Sequence, residues 1–173
     1  MDKFKILKEY FGYDEFRYPQ DLIIDAVYQN KEVIGILPTG FGKSIIFQVL
    51  ALMLEGVSIV ISPLIALMED QVQALKRKGI SAALLNSNMS FEEQHKVYKR
   101  LASKKYKLLY LSPERLENLY FLKQIVKEEI SMIVVDEAHT LLWAESFRKA
   151  FGHISDFINT LKERPKILLR QPL

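Results

Sequence analysis

The chain contains no cysteine among its 173 residues. It can therefore form neither a disulfide framework nor a thiolate zinc site, and this composition suits a reducing compartment. No apolar run approaches the length that spans a bilayer, and no long apolar segment follows Met1. We therefore expect a cytoplasmic protein that does not contact membranes. Internal repeats, low-complexity stretches and linkers are absent from the sequence as well.

The composition describes one globular domain. Hydrophobic residues make up 49% of the chain and charged residues 26%, which is enough for one well-packed core at this length. The formal net charge is +3 and the sequence pI is near 8.9. Mild basicity of this kind permits nucleic acid as a partner without indicating it.

A glycine-containing loop, Thr39-Gly40-Phe41-Gly42-Lys43-Ser44, lies between an apolar run and a long apolar helix pattern. Backbone N–H groups in such a loop point at phosphate oxygens, and the following helix adds its positive N-terminal end. Lys43 would reach the outer phosphates, and the Ser44 hydroxyl would bind Mg²⁺. The full phosphate-loop pattern has glycine where this chain has Leu37, and an ordinary glycine turn is the alternative.

Continuous apolar runs alternate with helix patterns along the chain. Runs that are apolar on both faces are typical of strands in a parallel sheet covered on both sides. We therefore predict a doubly wound α/β sandwich, whose ligands bind beyond the carboxyl ends of the strands. The predicted strands are 33–37, 57–61, 82–85, 107–111, 132–135 and 166–169. Helix signals are the apolar face of 64–75, closed by 76–79, a capping box at 90–93, an N-cap at Ser112-Pro113 and an apolar stripe over 147–161.

Two acids end the apolar run before residue 136. Asp136 at the tip of the predicted strand is placed to bind the Mg²⁺ that Ser44 also contacts, and Glu137 to activate the attacking water. Together with the phosphate loop they predict an ATPase site. His139 follows, and two roles are open for it: a zinc ligand or a polar coupling residue. The other histidines share no metal-ligand spacing with it, which favours the second role.

Three residues near the N-terminus allow two interpretations. Tyr13, Arg17 and Gln20 surround the break between two helix patterns in residues 1–31. They can be ordinary residues at a helix start, or they can form a base pocket, because a side-chain amide pairs with adenine and an aromatic ring stacks on it. Their spacing alone favours the ordinary interpretation.

Several motifs together resemble the RecQ family of superfamily 2 helicases. They are the phosphate loop, Asp136-Glu137-Ala138-His139, the segment 61–72 and the segment Tyr110-Leu111-Ser112-Pro113-Glu114-Arg115-Leu116. The resemblance implies a RecA-like P-loop NTPase lobe over residues 1–173, with ATP and Mg²⁺ as cofactors. It also implies single-stranded and duplex DNA as partners, a place in DNA repair or recombination, and a nucleoid or nuclear location. An RNA helicase of the same superfamily and a non-enzymatic binding module are the alternatives.

The resemblance also implies roles for particular side chains. Residues 1–31 look like the family's adenine-recognition segment, in which Tyr13 would stack on the base, Gln20 would read its edge and Arg17 would support the nucleotide. Thr39, Gly40, Gly42, Lys43 and Ser44 would bind the phosphates. Asp136, Glu137 and His139 would complete the catalytic set.

DNA-binding residues follow from the same resemblance. The segment after His139 is similar to an aromatic loop that senses single-stranded DNA, and here it offers Trp143, Phe147 and Arg148 for stacking and phosphate contact. The loop is one residue short before Trp143 and has Ala144-Glu145 where the family usually has glycine and histidine. Phe147 also fits the helical stripe, and Trp143 also suits a core.

Polar residues at predicted strand ends match positions near the family's DNA-backbone contacts. They are Ser62, Asn86, Ser87 and Ser112. Turn and N-cap roles explain the same residues equally well. DNA contact and local backbone capping are therefore both open for this set.

The last residues depart from the family pattern. The family has a Thr-Ala-Thr-Ala-like motif after the final strand, where this chain reads Leu169-Arg170-Gln171-Pro172-Leu173. Threonine and alanine codons share C at their second base, and reading one base later yields only codons for Leu, Pro, His, Gln or Arg. A frameshift is therefore our hypothesis for this tail, and gene sequencing tests it. The family's second lobe, with its transition-state arginine, is expected to be absent, so we expect weak ATP binding, slow hydrolysis and no unwinding.

Overall fold

The computed structural model describes residues 2–29, 32–38, 40–136 and 145–172, with side chains at all of these except 145–151 and 171–172. Six strands form one sheet in this part of the chain. They are Glu32–Leu37 (β1), Val57–Ile61 (β2), Ala82–Leu85 (β3), Leu108–Leu111 (β4), Ile130–Val135 (β5) and Lys166–Pro172 (β6).

Helices connect these strands. They are Lys3–Ile6 (α1), continued by a π-helical stretch Leu7–Phe11, Gln20–Gln29 (α2), Lys43–Met53 (α3), Ile65–Arg77 (α4), Phe91–Ala102 (α5), a 3₁₀ segment Pro113–Glu117, Leu119–Ile125 (α6) and Glu145–Thr160 (α7). None of the helices in the described ranges is long and apolar enough to cross a bilayer.

All pairings between neighbouring strands are parallel, in the order β1-β6-β5-β2-β4-β3. The doubly wound α/β prediction is confirmed, because helices cover both faces of this sheet. The order also has a consequence for the carboxyl edge. The last strand, β6, lies between β1, which leads into the glycine loop, and β5, which leads into Asp136.

Side chains alternate between two buried clusters on the two faces of the sheet. Met132 and Val134 of β5 pack with residues of α2, α3 and α4, and Leu168 of β6 joins them. Ile133 and Val135 pack on the other face, with residues of α5, α6 and α7. This period of two explains why the strands read as continuous apolar runs, since both faces are covered. We call the first face the loop face and the second the far face.

Both predicted N-cap residues, Ser90 and Ser112, lie at the starts of helical segments, and they differ in whether the side chain caps the backbone. Ser90 and Glu93 form the expected capping box at α5, and the bonds with Ser90 lower the pKa of the Glu93 carboxyl. Ser112 precedes a 3₁₀ segment with Pro113 in its first turn, but its hydroxyl caps no backbone N–H. That hydroxyl instead donates to the Glu114 carboxylate, a stronger acceptor because it is charged.

Strand β6 is longer than the sequence predicts. The predicted strand ends at Leu169, whereas β6 continues to Pro172 and stays in register with β1, pairing Gly35 with Arg170 and Leu37 with Pro172. Arginine, glutamine and proline carry no strand signal by themselves. Pairing with β1 extends the strand, and it brings Arg170 to the carboxyl edge of the sheet.

Candidate functional site

The glycine loop connects β1 to α3 with two residues in the left-handed region. Gly40 has φ of 79° and Gly42 has φ of 70°. Gly42 is also the N-cap of α3, and no side chain caps the first turn there. A helix start with uncapped N–H groups attracts anions, so this loop has the local geometry expected for phosphate binding. Thr39 lies outside the described residues.

The lysine and serine of the loop begin helix α3. Lys43 is its first residue, and only 7% of its surface is exposed. Ser44 follows and is half-buried. The two side chains therefore start from the same helical turn that presents the backbone N–H groups. This arrangement agrees with their predicted roles toward a phosphate, which stay predictions.

Gln20 contacts the loop directly. Its amide nitrogen donates to the carbonyl oxygens of Phe41 at 2.9 Å and Gly42 at 3.2 Å, and its amide oxygen accepts from the backbone N–H of Arg17 at 2.9 Å. These bonds tie the N-terminal segment to the phosphate loop. Both amide protons of Gln20 are therefore engaged by backbone carbonyls. Its predicted reading of adenine stays a prediction.

The other two residues predicted for adenine are open to solvent. Tyr13 is 53% exposed, and Arg17 is exposed as well. An exposed aromatic ring is accessible for stacking on a base. The structure thus leaves Tyr13 and Arg17 accessible, and their contact with a nucleotide stays a prediction.

Asp136 and Ser44 meet at the carboxyl edge, and Arg170 lies between them. Val135 of β5 pairs with Leu169 of β6, so Asp136 and Arg170 are the next residues along each strand. One terminal nitrogen of Arg170 is 2.5 Å from the Asp136 carboxylate, and the other donates to Ser44 Oγ at 3.1 Å. Asp136 is 1% exposed and Arg170 is 6% exposed. The guanidinium therefore bridges the two predicted magnesium ligands inside the protein.

Aromatic and amide side chains of the loop face surround this bridge. The guanidinium carbon of Arg170 lies 5.5 Å from the ring centre of Phe47, a cation–π contact. Tyr110 is fully buried and donates from its hydroxyl to Gln71 at 2.9 Å. Burial raises the pKa of Tyr110 far above its ordinary value, and a hydrogen bond with Gln48 offsets part of this. The nearby Asp136 charge raises this pKa further, while Arg170 lowers it.

Oxygen donors suited to a divalent cation are present, but the structure uses them for another partner. Carboxylate and hydroxyl oxygens are the ligands that Mg²⁺ prefers, and the ion needs short bonds in octahedral geometry. One guanidinium instead forms an ion pair with the Asp136 carboxylate and donates a hydrogen bond to Ser44 Oγ. The arrangement therefore does not accept Mg²⁺ together with Arg170 in its present position. Among the described residues, no group of three or more His, Cys, Asp or Glu side chains surrounds a further metal site.

The polar residues at the strand ends form a row along the same edge of the sheet. Ser62 follows β2, Ser112 follows β4 and Asn86 follows β3, in the order in which these strands neighbour one another. All three are buried. Ser62 Oγ accepts from the Leu64 N–H at 3.4 Å, and Asn86 Oδ1 accepts from the Asn88 N–H at 3.0 Å. Ser62 and Asn86 thus have local turn roles, the Ser112 hydroxyl does not cap the backbone, and DNA contact by all three stays a prediction.

Several predicted site residues lie outside the description. Glu137, His139 and Trp143 fall within the range 137–144, for which no structure is described. Phe147 and Arg148 lie on α7, whose backbone confirms the predicted helix, but their side chains are not described. Their catalytic and DNA-binding roles stay predictions.

Arg170 is the site residue that the sequence reasoning did not identify. Its signal was a lone cation continuing an apolar strand, which usually marks a strand end facing solvent. The pairing of β6 between β1 and β5 gives the position a different meaning. It places the charge beside the buried Asp136 on the loop face.

The fold and the loop define a P-loop nucleotide-binding lobe of the RecA-like type. A family model described as DEAD/DEAH box helicase matches residues 17–169. The chain is 47% identical over 151 residues to the ATP-dependent DNA helicase RecQ of Synechocystis sp.. This alignment covers 86% of this chain and 32% of that protein. It is 42% identical over 168 residues to RecQ of Bacillus subtilis, covering 94% of this chain and 28% of that protein. The chain belongs to the DEAD/DEAH box helicases, and within them to the RecQ family.

Other similar proteins include a putative RNA helicase and a DNA-bound helicase of the same fold. A putative ATP-dependent RNA helicase of Acanthamoeba polyphaga mimivirus is 42% identical over 170 residues, covering 95% of this chain and 30% of that protein. The crystal structure of the helicase MrfA bound to DNA has a TM-score of 0.83 at 18% identity, over 99% of this chain and 26% of that one, which shows a shared fold. The chain thus spans about a third of the curated relatives it matches. Helicases of the RecQ family use ATP, typically with Mg²⁺.

Proposed function

We propose that this chain is the ATP-binding lobe of a RecQ-type DNA helicase. The observation that supports it most directly is the loop itself. Gly42 opens helix α3 in a left-handed conformation, and Lys43 and Ser44 lie in the first turn, with Asp136 held next to Ser44 through Arg170. A triphosphate fits this arrangement because the helix start and Lys43 both favour negative charge.

Nucleotide binding tests the proposal with a pair of lysine variants. ATP is titrated into the chain and into Lys43→Ala by calorimetry, and Lys99→Ala, which removes an exposed lysine of α5, is the matched control. A charge-assisted phosphate contact at Lys43 predicts a loss of affinity of roughly tenfold or more. The control should bind like the unmodified chain. Equal affinity in all three proteins would contradict the proposal.

Single-stranded DNA is the second proposed ligand. Ser62, Ser112 and Asn86 form a row at the same edge of the sheet as the phosphate loop. A DNA strand that contacts this row would run along that edge. Trp143, Phe147 and Arg148 are the proposed stacking and phosphate contacts. Fluorescence anisotropy with an unstructured oligonucleotide should show weaker binding for Trp143→Ala, because stacking on one base contributes about 1–3 kcal/mol. Binding that is unchanged by this substitution would remove Trp143 from the site.

We propose that a longer helicase containing this lobe couples ATP hydrolysis to translocation and unwinding. The 173-residue chain on its own is expected to hydrolyse ATP slowly and not to unwind duplex, since it spans only about a third of its relatives. In related enzymes, an arginine supplied from outside the phosphate-binding site stabilises the transition state and raises the rate of hydrolysis by several orders of magnitude. A strand-displacement assay with the purified chain checks this. Unwinding by the chain alone would contradict it.

Two alternatives have support from specific observations. The similarity to a putative RNA helicase keeps RNA as a rival ligand, and comparing DNA with RNA as stimulators of ATP hydrolysis separates the two. The engagement of Asp136 by Arg170 favours a lobe that binds nucleotide without hydrolysing it. Hydrolysis that disappears in Lys43→Ala would identify an enzyme, because a binding lobe has no activity to lose.

A further inference from the structure

We propose that the guanidinium of Arg170 is the resident cation of this site and takes the position of the divalent ion between Ser44 and Asp136. The chain would therefore bind a nucleotide with little dependence on Mg²⁺. This inference rests on the proposed nucleotide binding at the glycine loop, and it adds which cation that site uses.

The geometry of the bridge supports the claim that Arg170 lies where a divalent ion would lie. Two terminal nitrogens of one side chain contact the two predicted metal ligands, at 2.5 Å for the Asp136 carboxylate and 3.1 Å for Ser44 Oγ. A planar guanidinium is suited to contacting two oxygens at once, and it stays charged at every relevant pH. Arg170 thus supplies positive charge where a divalent cation would otherwise lie.

Burial supports the claim that a divalent ion does not readily replace Arg170. Asp136 and Arg170 are almost completely inaccessible to water. Separating a buried ion pair leaves charge in a medium of low polarity, which is costly. A divalent cation would have to displace Arg170 to reach the Asp136 carboxylate, and Mg²⁺ also loses tightly held water when it does so. The existing pair therefore opposes the exchange.

The backbone that carries Arg170 supports the claim that its guanidinium stays in this position. Arg170 belongs to β6, which is paired with β1 on one side and follows the β5 register on the other. Its side chain also lies over the ring of Phe47 in α3. The guanidinium is thus positioned by two strands and one helix, rather than by a loop that can move away easily.

The first experiment measures how strongly Mg²⁺ changes nucleotide affinity. ADP is titrated into the chain by calorimetry in excess EDTA and again in excess MgCl₂. The affinity of the unmodified chain should change by less than about threefold, and that of Arg170→Leu should rise by about tenfold or more when Mg²⁺ is present. Lys166→Leu removes a cation from the opposite end of β6 and should behave like the unmodified chain. A tenfold tightening by Mg²⁺ in the unmodified chain would overturn the inference.

A second probe separates this inference from the proposed function. If ADP binds to none of the proteins, nucleotide binding is refuted, and Mn²⁺ alone decides the role of Arg170. Electron paramagnetic resonance should show protein-bound Mn²⁺ in Arg170→Leu and not in the unmodified chain. Binding by both proteins, or by neither, would overturn the inference, because Arg170 would then exclude nothing. Arg170→Thr, which has a smaller strand-forming side chain, replaces Arg170→Leu if circular dichroism shows that the leucine variant does not fold.

Discussion

Two buried arginines lie on opposite faces of the sheet and differ in the partners that surround them. Arg115 and Arg170 are exposed by 5% and 6%, and their guanidinium groups lie 5.9 Å and 5.5 Å from the rings of Phe121 and Phe47. Arg115 contacts only neutral partners among its described hydrogen bonds, whereas Arg170 contacts the carboxylate of Asp136.

The neutral partners of Arg115 connect two elements of the far face. Its terminal nitrogen donates to Gln94 Oε1 at 3.0 Å and to the Tyr98 hydroxyl at 2.7 Å, both on α5. Arg115 itself belongs to the 3₁₀ segment, so the contact fixes that segment against α5. Its Nε has no hydrogen-bond partner within the described part of the chain. Arg115 therefore has a structural role although it lies in a motif shared with helicases.

The comparison shows that burial alone does not identify a functional arginine. The difference lies in what each charge compensates. Arg170 neutralises a buried acid at the edge where β1 and β5 end, and Arg115 satisfies polar groups between two helical elements. Substitutions at the two positions should therefore have different sizes and different effects on ligands.

Loss of the acid should have the largest effect. Asp136→Asn leaves the guanidinium of Arg170 buried without its charged partner, so we expect the free energy of unfolding to fall by about 3–5 kcal/mol in urea titrations. Adding Arg170→Leu should restore most of it, because an apolar replacement of a buried ion pair is often nearly neutral. Ser44→Ala is the control and should cost less than about 1.5 kcal/mol. A small loss in Asp136→Asn, with no rescue by the second substitution, would contradict the ion pair.

Arg115→Leu should have the second largest effect. It removes hydrogen bonds from a charged donor to Gln94 and to the Tyr98 hydroxyl, so a loss of about 2–3 kcal/mol is expected. The same urea titration measures it. Nucleotide affinity should not change, because these contacts lie on the far face. If Arg115→Leu weakened nucleotide binding as strongly as Lys43→Ala, the structural role assigned to Arg115 would be wrong.

High pH should distinguish the tyrosines that accompany the two arginines. Burial raises the pKa of both Tyr110 and Tyr98 in the folded chain, and Arg115 partly offsets the rise at Tyr98. Stability from a raised tyrosine pKa is fully present below the unfolded value near 10 and is lost as pH rises above it, by up to about 1.4 kcal/mol per pH unit.

Tyrosine variants measure this pH dependence directly. Unfolding titrations between about pH 9 and pH 11 should show a shallower decline for Tyr110→Phe than for the unmodified chain. Tyr98→Phe should reduce the decline less, since its neighbour Arg115 favours the ionised form. Equal slopes in the unmodified chain and in Tyr110→Phe would show that this hydroxyl does not resist ionisation.

The smallest expected effect concerns two glutamines. Gln20→Ala removes the amide that bonds to the carbonyls of Phe41 and Gly42, so stability should fall by about 1 kcal/mol and ADP affinity by a few-fold. Gln94→Ala is the matched control at Arg115 and should cost a similar amount of stability without changing ADP affinity. A change in affinity that is the same in both variants would mean that Gln20 does not position the loop.

Much of the fold could be predicted because its signals are local. Apolar runs gave the strands, and the capping box at Ser90 gave the start of α5. Ser112 is the N-cap residue of the 3₁₀ segment as predicted, and only its hydroxyl differs, because that hydroxyl bonds to the neighbouring Glu114 carboxylate and not to a backbone N–H. The length of β6 could not be predicted, since its last residues become a strand only by pairing with β1.

The sequence by itself determined the phosphate loop, the acid at the end of β5 and the family, because each depends on residues that are adjacent in the chain. The tertiary structure decided which side chains meet. Gln20 reaches the loop through contacts 21 and 22 residues away, and Arg170 reaches Ser44 across 126 residues. Strand order and register set those distances, and they arise from packing of the whole sheet rather than from any local pattern. For that reason a cation in an unremarkable tail becomes the partner of the buried acid.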